Sequence, residues 1–286
     1  MFLLFDVGGT KIRVAAANHS GFVGEVVTAP TPVDFNRGLE HIIDTAHALC
    51  AGEKIIAVVG GVAGALNRGR NMLVSGSNIM SWIGRPIKEL LGVSLDAPVY
   101  LENDSALAGL GEAVAGAGKD HYIVGYMTVS TGVGGARITN KKIDPYVFGF
   151  QPGYQIVDAD GSLCTRCTKR HLGAHVSGRG IEAHYGKKPE DITDPVIWEG
   201  IACALAVGLT NTIVHWSPDI MVLGGSVMRS ISIERVRELV QVLVYAYPEI
   251  PLIERAQLDD MGVLYGALQI ARAQIYSQER GGWHDR

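Results

Sequence analysis

Phe2-Leu3-Leu4-Phe5-Asp6-Val7-Gly8-Gly9-Thr10-Lys11-Ile12-Arg13-Val14-Ala15-Ala16-Ala17 is the stretch that decides the fold. Its first six residues read as a buried strand, Gly8-Gly9-Thr10 as a tight turn, and residues 11–17 as a second strand. The pattern returns more than a hundred residues later. There Tyr122–Val129 is an apolar strand, Ser130-Thr131-Gly132-Val133-Gly134-Gly135 a glycine turn, and Ala136–Thr139 a strand. A repeated strand–glycine turn–strand unit predicts two similar halves facing each other across a cleft.

Between and after the two hairpins, strands alternate with helices. Helical spacing runs from Arg37 to Cys50, through Leu39, Ile42, Ile43, Ala46 and Leu49. A strand over 54–60, a short helix over 85–91 and a short strand over 98–101 follow. Asp104–Ala115 is a helix of small residues. After a loop-rich stretch from Asp144 to Gly180, Pro195–Trp216 reads as a long buried helix. Asp219–Ser226 reads as a strand and glycine turn, followed by helices over 232–245 and 263–277. Alternation of this kind places the chain in the α/β class.

The bulk properties narrow the function. The 286 residues are 47% hydrophobic and 19% charged, enough for one large or two modest cores. The formal net charge of -4, with no basic face, gives a nucleic-acid partner no electrostatic support. No basic n-region precedes the apolar start, and the runs 55–66 and 201–209 are shorter than the roughly 20 residues a bilayer requires, so neither a signal peptide nor a membrane span is expected. Four cysteines are too few for a disulfide framework in a chain this long, and a reducing cytoplasm is the expected location.

Crowded backbone N–H groups in a glycine turn form a concave anion site, and glycine permits close approach of phosphate oxygens. Residues 6–11 offer one such site, with the Thr10 hydroxyl and Lys11 ammonium beside it; residues 130–135 offer a second, with Thr131. No P-loop is present. Gly132-Val133-Gly134-Gly135-Ala136-Arg137 misses the dinucleotide fingerprint, because its last glycine is absent and a strand follows. A single hairpin of this type is most simply a plain turn; two, each after an apolar strand and each with a threonine, point to nucleotide phosphate.

Three segments carry a resemblance. Asp6-Val-Gly-Gly-Thr-Lys11, Leu101-Glu-Asn-Asp-Ser-Ala-Leu-Ala-Gly-Leu-Gly-Glu112 and Val129-Ser-Thr-Gly-Val-Gly-Gly135 resemble the ROK sugar kinases and repressors. Ser77-Asn78-Ile-Met-Ser-Trp82 with Arg85-Pro86, Val222-Leu-Gly-Gly-Ser226 and Gly262-Val-Leu-Tyr-Gly-Ala-Leu268 extend it, in order, over nearly the whole chain. The resemblance implies the actin-like, ribonuclease H-like fold with two α/β domains around a central cleft. An N-terminal domain of residues 1–115 would be completed by a C-terminal helix, 265–286. A larger domain of residues 116–264 would contain the insert 150–180. It also implies ATP- and Mg²⁺-dependent phosphorylation of a hexose or hexosamine by a glucokinase-like enzyme, and a homodimer; some relatives use polyphosphate.

The same resemblance assigns roles. Asp104 is the base that accepts the hydroxyl proton; taken alone, an Asp at a helix start is an N-cap. Asn103 holds a sugar hydroxyl, with Asn78 and Gly64 as further sugar-side candidates. Asp6 orients Mg²⁺, a hard ion suited to oxygen ligands. Gly8, Gly9, Thr10, Lys11, Thr131 and Gly132 grip phosphates, and Gly224, Gly225 and Ser226 line the adenosine.

The insert departs from the family pattern of Gly-Glu-x-Gly-His followed by a cysteine-rich zinc motif. Gln151 stands in place of the Glu and Tyr154 in place of the His. In the second motif Arg166, His171 and Gly173 replace two cysteines and a glutamate. A pocket that loses such partners discriminates against their ligand, so glucose itself is not the expected acceptor. Cys164, Cys167, His171 and His175 have workable spacing for a shifted structural zinc site, the alternative being two free thiols and two histidines left after zinc was lost.

Two other functions stay open at this stage: a kinase of a non-hexose acceptor, and a non-catalytic sugar-binding or sensor protein. Retention of Asp6, Asp104 and both glycine turns weighs against the second. Family repressors carry a helix-turn-helix ahead of the kinase-like part. None is expected here, because the first strand begins at once.

Overall fold

The computed structural model describes residues 1–76, 79–161 and 169–279. The chain forms two compact units. Unit 1 comprises Met1–Val114, Pro145–Gly149 and Asp260–Arg286, and unit 2 comprises Ala115–Asp144 and Phe150–Asp259.

Unit 1 opens with strands β1 (Phe2–Val7), β2 (Lys11–Ala17) and β3 (Phe22–Pro30), then helix α1 (Phe35–Cys50). Strand β4 (Ala57–Val62), the small hairpin β5 (Ala65–Leu66) and β6 (Leu73–Ser75), helix α2 (Ile87–Leu95), strand β7 (Val99–Asn103) and helix α3 (Asp104–Ala115) follow. Unit 2 holds β8 (Ile123–Val129), β9 (Val133–Thr139), β10 (Lys142–Ile143), α4 (Leu172–Val176), α5 (Gly178–Tyr185) and α6 (Pro195–Trp216). It is completed by β11 (Ile220–Gly224), α7 (Ile233–Leu243) and β12 (Leu252–Arg255). The chain returns to unit 1 with α8 (Gly262–Glu279).

The two sheets have one plan. In unit 1 the order is β3-β2-β1-β4-β7, and in unit 2 β10-β9-β8-β11-β12. Each begins with antiparallel strands and ends with parallel ones, β1 to β4 to β7 and β8 to β11 to β12. The repeated glycine turn therefore occupies the same place twice, after the central strand of each sheet.

Burial explains why β1 is apolar at every position but Asp6. Alternate residues of a strand face opposite sides, and both faces are covered. Leu3, Phe5 and Val7 join one core with Ile42, Ala46 and Trp82, on the side of α1. The other face carries Phe2, Leu4 and Asp6, where α8 packs against β1 and β4. In unit 2, α6 packs against α4 and α7, burying Leu205, Leu209 and Ile213. By length and hydropathy alone α6 could cross a membrane; half of its most apolar window is buried within the protein.

Several elements differ from expectation. Strand β3 was not anticipated, because it is a largely exposed edge strand and lacks apolar alternation. The four-residue β12 is too short to announce itself. The stretch 144–180, expected as loop, contains α4 and the start of α5, masked in sequence by Gly178 and Gly180. Helix α5 is set by Ser177, whose Oγ accepts the Gly180 N–H at 3.1 Å, and ends at Gly186 with φ of 67°. Residues 145–149 also belong with unit 1, not with the expected second domain, as do residues 260–264.

Candidate active site

In unit 1 the carboxyl ends of three parallel strands bring the acidic residues together. Asp6 in β1 pairs in register with Gly61 in β4, and Gly61 with Glu102 in β7. Asp6 is 4% exposed. Arg13, directly across the β1–β2 hairpin, bonds Asp6 Oδ2 at 2.9 Å and Asp260 Oδ2 at 2.5 Å. Burial pushes the Asp6 carboxyl up to about 7; the neighbouring Asp104 charge adds to the rise, and Arg13 opposes it.

Asp104 opens α3. Its Oδ1 accepts the Ser105 N–H at 2.7 Å and the Ser105 hydroxyl at 3.3 Å. Burial raises this carboxyl to about 6, against the pull of the Ser105 N–H. The helix cap belongs to its neighbour: Asn103 Oδ1 accepts the Ala106 N–H at 3.1 Å. The simple N-cap reading of Asp104 is thereby corrected, and its carboxyl is not consumed by capping the third N–H of the helix. Asn103 Nδ2 donates to the Gly64 carbonyl at 2.9 Å, so its amide is used at both ends. Gly64 itself sits at φ of 142°, where a Cβ would lie 2.2 Å from the Ser75 oxygen; a backbone requirement accounts for the glycine. Asn78 lies outside the described residues.

The first glycine turn is held from behind. Gly8 N–H donates to the Lys11 carbonyl at 2.9 Å, Thr31 Oγ1 donates to the Gly8 carbonyl at 2.7 Å, and Thr31 N–H to the Thr10 carbonyl at 3.0 Å. These contacts fix the turn while Thr10 and Lys11 stay exposed and Gly9 half-buried.

In unit 2 the second and third turns are neighbours, because β8 and β11 pair in parallel with Gly224 opposite Thr128. Gly225, at φ of 96°, lies so close to β8 that a Cβ would stand 2.3 Å from the Val129 oxygen. Thr131, Gly225 and Ser226 are exposed. The N-terminus of α5 abuts the second turn: Gly178 N–H donates to the Ser130 carbonyl at 2.7 Å, and Arg179 donates through its backbone N–H and Nε to the Thr131 carbonyl, each at 3.4 Å. Arg179, to which the sequence reading gives no role, is thus beside the phosphate-type turn.

The insert gives a mixed result. Gln151 precedes a single helical turn, Pro152–Tyr154, that ends in Tyr154, and both side chains are exposed. The Tyr154 ring lies 5.2 Å from that of His171, whose Nδ1 is 3.0 Å from the Gly153 carbonyl. His175 is buried with Nε2 3.8 Å from Asp158 Oδ2; burial lowers its basicity, and Asp158 opposes this. Cys164 and Cys167 lie outside the described residues. Among the described residues no group of three metal-type side chains converges, so the histidine half of the set does not by itself fit zinc. Among the described residues no group of three converges in unit 1 either, but Mg²⁺ is commonly held by one or two carboxylates together with phosphate oxygens, and Asp6 and Asp104 supply two.

Two further groups escaped the sequence reading. Arg13 had one signal, a lone cation inside an apolar strand. Glu102 is 2% exposed and accepts from Arg70 Nη1 and Tyr146 Oη; nothing in the local sequence joins residues so far apart.

Known proteins supply an independent comparison. The chain resembles a glucokinase from Thermotoga maritima, 26% identical with 94% of this chain and 96% of that protein covered. An N-acetylmannosamine kinase from Yersinia pestis is 27% identical, covering 93% and 97%. Among solved structures, the ROK hexokinase from Thermus thermophilus superposes with a TM-score of 0.81 at 26% identity, over 96% of this chain and 99% of that one. The sequence model of the ROK family matches residues 3–274, and with the actin-like sheet pair already in place this chain belongs to the ROK family.

Proposed function

We propose that the chain is an ATP-dependent kinase that phosphorylates a hydroxyl of a small sugar, a hexose or hexosamine, with Asp104 as general base. The observation that carries the reading is a carboxylate at the start of α3, freed from capping by Asn103 and raised by burial to about 6, in a chain whose family match spans 3–274. A base tuned near the working pH is ionised enough to act and basic enough to accept a proton.

The step balances simply. The acceptor hydroxyl gives its proton to Asp104, its oxygen bonds the γ-phosphorus of ATP, and the β–γ bridging bond breaks to release ADP. Bound Mg²⁺ would neutralise phosphate charge, and Asp6 is the residue to hold it. The turns at 8–11, 131–132 and 224–226 supply N–H and hydroxyl donors of the kind that position phosphate and nucleoside. With Gln151 and Tyr154 replacing a carboxylate and an imidazole, the acceptor differs from glucose in the groups it presents there. No step is routed through zinc.

The test is ADP release with MgATP over hexoses, hexosamines, polyols and nucleosides, wild type beside Asp104→Asn. Release should depend on one sugar class and fall by about 10²- to 10⁴-fold in the variant. Acceptor-dependent release undiminished in Asp104→Asn would remove that residue from its role; no release with any acceptor would favour a binding protein.

A further inference from the structure

Three segments remote in sequence meet at one buried carboxylate. Glu102 stands immediately before Asn103 and Asp104 at the end of β7. Its Oε1 accepts the Asn103 N–H at 2.8 Å and the Tyr146 hydroxyl, and its Oε2 takes Arg70 Nη1. The Arg70 guanidinium also lies over the Tyr146 ring, 4.7 Å from its centroid. Thus the two side chains that hold Glu102 also hold each other.

The origins of the partners matter. Arg70 sits in the turn joining β5 to β6, in left-handed backbone with φ of 47°, its N–H closing the turn on the Asn67 carbonyl at 2.9 Å. Gly64, at the base of that hairpin, receives Asn103 Nδ2. Tyr146 lies on Pro145–Gly149, five residues that belong to unit 1 although the chain on both sides belongs to unit 2. The end of β7 is therefore gripped by a hairpin from one direction and by a returning strap from another.

We propose that Tyr146 and Arg70 are positioning residues for the acceptor. By clamping Glu102 they fix the backbone of the next two residues, and so the aim of the Asn103 amide and the Asp104 carboxyl. The proposal deepens the kinase reading and rests on it for its kinetic consequence. The physical basis is leverage. A charged carboxylate accepts all three donors at once, and removing one lets the strand end rotate. An error on the order of 1 Å between base and hydroxyl can cost about a hundredfold in rate.

Tyr146→Phe keeps the ring under Arg70 and removes only the hydroxyl. Arg70→Lys keeps the charge and loses the planar fork and its stacking; Arg70→Met loses both. For the sugar found to be phosphorylated, kcat/KM should fall about ten- to a hundredfold in Tyr146→Phe, with the KM for ATP within about twofold of wild type. Arg70→Lys should recover part of what Arg70→Met loses. Hydrogen exchange, which requires no turnover, should quicken about tenfold over 99–106 in Tyr146→Phe and stay unchanged in the β1–β2 hairpin. Unchanged exchange over 99–106 would overturn the proposal, as would an equal loss in the ATP and sugar constants. An inactive wild type would defeat the kinase reading alone. The exchange result would then decide the clamp, faster exchange supporting it and unchanged exchange rejecting it.

Discussion

Acidification should silence this protein well above the pH at which ordinary carboxylates titrate. Asp104, near 6, is ionised in about one molecule in ten at pH 5; Asp6, near 7, in about one in a hundred. If only the base must be ionised, kcat/KM should fall about tenfold for each pH unit below 6. If Asp6 must also be ionised to receive Mg²⁺, the logarithmic slope should steepen from one between pH 7 and 6 to two below 6, reaching about a thousandfold loss at pH 5. The two carboxyls interact, since Asp6 ionises beside an already charged Asp104. The limbs therefore report the pair rather than either residue. Kinetics of the sugar-dependent reaction from pH 5 to 8 at fixed free Mg²⁺ measure the slope. A profile flat down to pH 5 would refute the assignment of these carboxyls to proton and cation handling.

The same values make a stability statement of opposite sign. Both carboxyls are raised in the folded state, so they stabilise it when protonated. That contribution is complete below about pH 4 and is lost as pH climbs through 6 and 7. Raising Asp6 from 3.8 to about 7 corresponds to roughly 4 kcal/mol. The midpoint of thermal unfolding of the protein without nucleotide should therefore carry a downward component between pH 5 and 8. Asp6→Asn should flatten it, and Mg²⁺ with nucleotide should offset it.

Two substitutions probe the frame around these carboxyls. In Arg13→Met the buried Asp6 loses the guanidinium bonded to it, so the acid limb should move to higher pH; stability near neutrality should fall by about 3 kcal/mol, as read by denaturant titration. In Gly111→Ala the new Cβ would stand 2.0 Å from the Gly262 carbonyl oxygen, where α3 meets the start of α8. Parting the two helices should cost about 1–3 kcal/mol and lower kcat through displacement of Asp104, whereas an unchanged melting curve would mean the helices are not in contact there.

What could be read in the sequence follows from how each element is buried. Strand β1 is covered on both faces and is apolar at every position but Asp6, which makes it legible together with the glycine turn that follows. Strand β3 lies at an open edge, where side chains answer to solvent rather than to a core, and its pattern carried no period. The site divided similarly. Asp6 and Asn103 at strand ends and Asp104 at a helix start stand within short motifs, so motif reading singles them out as candidates. Which of them caps α3 is not legible there: in the fold Asn103 caps it and Asp104 does not. The contacts of Glu102 with Arg70 and Tyr146 join residues 32 and 44 positions apart, and no local pattern encodes such a meeting. Arg179 was similarly hidden, because its significance comes from α5 abutting the turn at 130–132, and α5 itself begins with glycines.

The two sheets share one topology and yet carry different groups at their carboxyl ends. In unit 1 the strand ends carry buried acids. Loss of water raises a carboxyl toward neutrality, as at Asp6 and Asp104, and the charge of Asp104 raises Asp6 further. Such an end suits protons and cations. Both sheets have a glycine turn after the central strand, but in unit 2 the turns carry exposed Thr131 and Ser226, backed by Arg179, where unit 1 sets acids beside its turn. Backbone N–H groups lose nothing to ionisation and suit anions at any pH near neutrality. The shared topology gives both ends one frame, and the residues at the strand ends set what each could bind. It follows that exchanging side chains at the ends of unit 1 should alter pH dependence, whereas substitution at the turns of unit 2 should alter nucleotide affinity and leave the acid limb where it is.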